Sequence, residues 1–205
     1  MKKWVLVLIS VSFLFLIGAC GRSRLDSSID APKEVEPTRD CPAAVDGAQP
    51  LVNEAHGYCL VYPAGYTVYH PSGNEVSIVV GSLMNHVEPR ASIEVSEAAG
   101  RTVVQAADEL IAEFNQGVGF DIKRSGAMVG GEEAIVLDNM PGQDLHRRVV
   151  VIHDGLLYWL QFTPIGVDYG EAGKRTEVLY ATVIESLRFL PGGGVSQNDE
   201  VEESQ

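Results

Sequence analysis

Five histidines, at 56, 70, 86, 146 and 153, are the residues most able to carry general acid–base or metal chemistry at neutral pH. None stands in a His-x-x-x-His or related helical spacing that would put two imidazoles on one metal. Ser125, in Arg-Ser-Gly, has no Gly-x-Ser-x-Gly elbow around it and falls in a predicted strand, where it faces solvent. Gly117-Val-Gly119 follows a helical pattern instead of linking a strand to a helix, so its glycines suit a helix stop better than a phosphate cradle. The acidic pair Glu132-Glu133 and the run Asp199 to Glu203 lack the spaced Asp/Asn/Gly loop of a calcium site and read as solvated charge. His146-Arg147-Arg148 is the one notable basic cluster, but strand alternation sends the two arginines to opposite faces. Tyr158-Trp159 could line a pocket, although bulky aromatics in a central hairpin more often build core. The expectation is a chain with no catalytic set, no metal and no cofactor.

The three cysteines say more. Lys2 and Lys3 precede about fourteen mostly apolar residues, Trp4 to Ile17, which is signal-peptide design and shorter than the roughly 20 residues a membrane span requires. Ile17-Gly18-Ala19-Cys20 then resembles the bacterial lipobox, in which an aliphatic residue and two small residues stand directly before a cysteine. That resemblance implies removal of residues 1–19 and lipidation of Cys20 with palmitate-type acyl chains. Two such chains, at ~0.8 kcal/mol per buried methylene, anchor a protein almost permanently. The alternative is an ordinary secretory signal with a chance cysteine. Export places Cys41 and Cys59 in a compartment that can be oxidising, and they form the one remaining candidate pair. A disulfide between them is expected; the alternative is a buried free thiol at Cys59 and a stray Cys41.

The chain has 15 Lys plus Arg against 28 Asp plus Glu, a formal charge of −13, which becomes −15 without Lys2 and Lys3. Such a balance argues against nucleic acid and against a broad electrostatic grip on anionic lipid. Membrane association is therefore expected through Cys20, at the cell membrane or outer membrane and on the face away from the cytoplasm.

These groups need a scaffold, and the chain divides accordingly. Residues 20–50 form the lipidated cysteine and a flexible tether, 51–190 one α+β domain, and 191–205 a disordered acidic tail. Within the domain, Tyr58 to Tyr62 and Tyr66 to Tyr69 are predicted as an early hairpin, and Val76 to Val80 with Ala91 to Val95 as another antiparallel pair. Thr102-Val-Val-Gln105 fits a capping box, after which Val103, Ala106, Ala107, Leu110, Ile111 and Phe114 recur at helical spacing up to a stop at Gly117 or Gly119. Phe120 to Val129, Glu133 to Leu137 and Leu145 to Phe162 continue as strands, with Gly130-Gly131 as a turn. The last is folded at Asp154-Gly155, a type I′ signal that sets Ile152 against Leu157 and Val150 against Trp159. Both faces of that hairpin are apolar, so it is expected at the centre of the sheet with a layer on each side. Asp168 to Ser186 gives a second helix with Leu179, Val183 and Leu187 on one stripe, and Leu187 to Leu190 a short last strand.

This order of elements, with the tyrosine-rich start, the Val-rich hairpin carrying Tyr158-Trp159 and the closing Glu185-Ser-Leu-Arg-Phe189, resembles the PsbP-like family. The family includes a photosystem extrinsic subunit, a Ran-binding import factor and many bacterial lipoproteins. The resemblance implies an antiparallel sheet with helices packed on its faces, an α/β/α sandwich, and a binding or assembly role toward other envelope proteins instead of catalysis. Two further readings remain from the residues: a small-ligand binding lipoprotein associated with a transporter, and an envelope hydrolase built from distant His and acidic residues.

Overall fold

The computed structural model describes residues 41–45, 47–84, 87–115 and 119–192. Ten strands, two helices and a single 3-10 turn order themselves as β1 (Ala48–Asn53), β2 (Tyr58–Pro63), β3 (Thr67–Ser72), β4 (Glu75–Val79), β5 (Arg90–Glu97), α1 (Val103–Phe114), β6 (Lys123–Val129), β7 (Glu132–Met140), β8 (His146–His153), β9 (Leu156–Thr163), a turn at Val167–Tyr169, α2 (Gly170–Ser186) and β10 (Arg188–Phe189). The strands form an antiparallel seven-stranded sheet, β3-β4-β5-β9-β8-β7-β6, and a three-stranded sheet, β1-β2-β10.

The β8–β9 hairpin sits where its composition requires. Val150 opposes Trp159, Val151 opposes Tyr158 and Ile152 opposes Leu157. Asp154 and Gly155 take the positive φ angles, 46° and 76°, of the tight turn. One face, carrying Val149, Val151, Tyr158, Leu160 and Phe162, packs with Leu179, Val183 and Leu187 of the α2 region and with Tyr58 and Leu60 of the small sheet. The other, carrying Val150 and Leu157 beside Ile135, Leu137 and Met140 of β7, packs under Ala106, Ala107 and Leu110 of α1. The antiparallel sheet with helices on its faces is thus the fold, and the small sheet joins α2 as the second part of one outer layer.

Local sequence explains α1 and not α2. Thr102 accepts from the Gln105 N–H while the Gln105 side chain accepts from the Thr102 N–H, completing the capping box, and Asn115 ends the helix before either expected glycine. In α2, Gly173 costs about 1 kcal/mol of helix propensity. Burial of Leu179, Val183 and Leu187, all fully enclosed, returns roughly 1.5–3 kcal/mol per side chain, so packing decides in favour of the helix. Ser186 locks its end: its hydroxyl donates to the Thr182 carbonyl one turn earlier and accepts from the Val61 N–H of β2.

Two expectations are adjusted. The domain begins before residue 51, because Ala48-Gln49-Pro50 already pairs with Val61-Tyr62-Pro63; Gln49 and Pro50 are exposed on an edge, where proline is tolerated. The early hairpin does not form, since β2 and β3 lie in different sheets. β4 pairs with β5 as expected, and on its other side with β3.

Candidate functional site

Cys20, residues 1–19 and the tail from residue 193 lie outside the described residues, as do His86 and Gly117. Cys41 and Cys59 are joined in a disulfide with their Cα atoms 5.7 Å apart. Cys59 is wholly buried at the middle strand of the small sheet, between Val52 of β1 and Arg188 of β10. The bridge therefore fastens the segment leading into the domain to a strand with neighbours on both sides.

The basic cluster is divided by strand geometry, as alternation requires. Arg147 turns toward α2; its guanidinium donates to Asp138 of β7 and, at 2.7 Å, to Glu177 of α2, and lies 4.2 Å from the Tyr180 ring centre. Burial lowers its pKa, but these two carboxylates outweigh that and leave it raised. Arg148 turns toward α1 and sits over the Phe114 ring at 5.9 Å. Its Nε is buried without a hydrogen-bond partner, and burial holds its pKa down against the pull of Glu94 and Glu113. His146, on the same face, is 4 % exposed; its Nδ1 lies 3.4 Å from the Asp144 carbonyl, and its Nε2 has no partner. Burial first, and the Arg148 charge in addition, keeps this imidazole below its usual pKa and so neutral. No single patch for an acidic partner results.

Tyr158 and Trp159 likewise point to opposite faces. The Tyr158 hydroxyl donates to the His56 carbonyl at 2.8 Å, and its ring meets Tyr58 edge-on at 6.1 Å. His153 stacks on Phe189 with centroids 4.3 Å apart while its Nδ1 lies 2.8 Å from a Glu132 carboxylate oxygen. The His56 ring is held against Asn53 Oδ1, and Ser125 is exposed on β6. His56, His146, Arg147, His153 and Tyr158 thus each serve a structural contact. Among the described residues, no three His, Cys, Asp or Glu side chains gather as metal ligands, and no helix is long and apolar enough to cross a membrane.

One feature escaped sequence reasoning. Between the first turn of α1 and the β6–β7 pair runs an open groove of about 470 Å³. Its lining includes Val103 and Val104 of α1, Gly126 and Met128 of β6, and Glu133 and Ile135 of β7. Val104 is 47 % and Met128 61 % exposed. The only sequence signal was Gly126 in a strand of otherwise larger residues, which marks a place of close approach.

Neither the models of known protein families nor the curated proteins match the chain. Solved structures do match. Cyanobacterial PsbP (CyanoP) from Synechocystis sp. aligns with a TM-score of 0.51 at 15% identity, covering 75% of this chain and 99% of that one. LpqN of Mycobacterium tuberculosis, described as involved in cell envelope biogenesis, aligns with a TM-score of 0.45 at 16% identity, over 71% of this chain and 87% of its own. With the sheet order and the two helices already placed, the likeness to CyanoP shows that this chain has a PsbP-like α+β fold.

Proposed function

We propose that the protein is a lipid-anchored, extracytoplasmic binding or assembly module of the cell envelope, not an enzyme. The observation that carries this reading is the engagement of its reactive side chains in packing: Arg147 binds Asp138 and Glu177, His146 meets Phe114, and His153 and Tyr158 both pack on Phe189. Support for the location comes from the Ile17-Gly18-Ala19-Cys20 sequence and from the Cys41–Cys59 bridge, which suits an oxidising compartment. The exposed apolar groove beside α1 supports a binding role.

Intact-mass spectrometry of the chain purified from its native membranes, with and without reduction, tests the location. Loss of residues 1–19, added acyl mass and a two-hydrogen gain on reduction are expected. An unlipidated chain in the medium would remove the anchor from the proposal. Cross-linking in intact cells tests the role: turnover of a substrate by the purified chain, with no envelope protein cross-linked, would overturn it.

A further inference from the structure

The seven-stranded sheet ends in two very different edges. β3 carries Pro71 and an irregular register between Tyr69 and Ser72, both of which obstruct strand addition. β6 has neither: seven residues, Lys-Arg-Ser-Gly-Ala-Met-Val, pair in unbroken register with β7, and among the described residues no strand lies on the other side. Gly126 at its centre has an ordinary φ, and a Cβ built there meets nothing within 4 Å. The isolated chain gives no reason for a glycine at this position.

We propose that β6 pairs antiparallel with β6 of a second copy of this chain, about a twofold axis at Gly126, joining two sheets into one. The occupant follows from charge. In that register Arg124 opposes the copy's Met128 and Lys123 opposes its Val129, so no like charges meet. Within each copy Met128 pairs with Glu133 and Val129 with Glu132. Arg124 and Lys123 therefore each face an acidic residue one strand beyond, twice over by symmetry. Their present partners, Asp108 and Asp121, are solvent-exposed and hold them only weakly. The exposed Met128 of each copy lies diagonal to the other's Gly126, one of the residues that line the groove. The glycine leaves room for that thioether. The pairing is independent of the membrane anchor.

Sedimentation of the mature chain in detergent is the test. A concentration-dependent dimer is expected. Met128→Asp, or Glu132→Lys with Glu133→Lys, should raise its dissociation constant by at least about tenfold. Adding Lys123→Glu and Arg124→Glu to the lysine pair should restore the dimer by exchanging the charges. Gly126→Val, which has space in the monomer, should leave the circular dichroism and melting temperature unchanged and weaken the dimer. A chain that stays monomeric up to about 1 mM, or a dimer indifferent to all four changes, would overturn the proposal. Neither result bears on lipidation at Cys20.

Discussion

The phenol of Tyr158 shows how one buried atom sets a pH limit. Burial first, and the nearby Asp154 charge second, push its pKa from 10.0 up to about 12, and burial raises Tyr58 in the same direction. A proton held more tightly in the folded state means full stabilisation below pH 10, lost as pH rises toward 12. Urea midpoints should accordingly fall between pH 10 and 12, and Tyr158→Phe should lessen that fall while lowering stability at pH 7 by about 1 kcal/mol through the lost hydrogen bond. On the acid side His146 works in the opposite sense. Burial lowers its pKa, and that of His56, below 6.5, so the folded state refuses the proton and stability is present above that value and lost as pH falls past it. His146→Gln should flatten the decline between pH 7.5 and 5.5; an unchanged slope would show that the orphaned Nε2 is not the source.

Among elements, α1 and the β8–β9 hairpin were legible because their instructions are local: Thr102 and Gln105 lie three residues apart, and Asp154-Gly155 fixes the register of its neighbours. Thr102→Ala should cost about 1 kcal/mol in chemical denaturation. β1 was illegible because Ala48-Gln49-Pro50 has no strand character of its own and is held by the backbone of β2. The separation of β2 from β3 was hidden for a related reason, since it depends on β10, about 130 residues further along the chain than β2. The β6–β7 turn couples such distant parts. Gly130 has φ +60°, and a Cβ there would stand 2.7 Å from the Phe189 ring of β10. Gly130→Ala should therefore destabilise by roughly 1–3 kcal/mol, combining backbone strain with an overpacked contact, and should show as a lowered thermal midpoint.

For the whole molecule, the layer arrangement could be inferred from apolar residues alternating on both faces of one hairpin, whereas the groove could not, because it depends on how the first turn of α1 stands beside the β6–β7 pair. The disulfide followed from compartment and count. Reducing it, or replacing both Cys41 and Cys59 with alanine, should lower stability by about 3 kcal/mol on the loop-entropy account, measured by urea unfolding with and without reductant. The position of the bridge also determines how the fold meets mechanical load. A pull from the N-terminal side passes through the sulfur atoms into Cys59, a site flanked by Val52 and Arg188 on either hand, and β1, paired with β2, carries none of the load. With the bridge reduced, the same pull arrives at Ala48 and peels an edge strand one pair at a time, so oxidation sets whether the domain resists tension as a block or unzips from its margin.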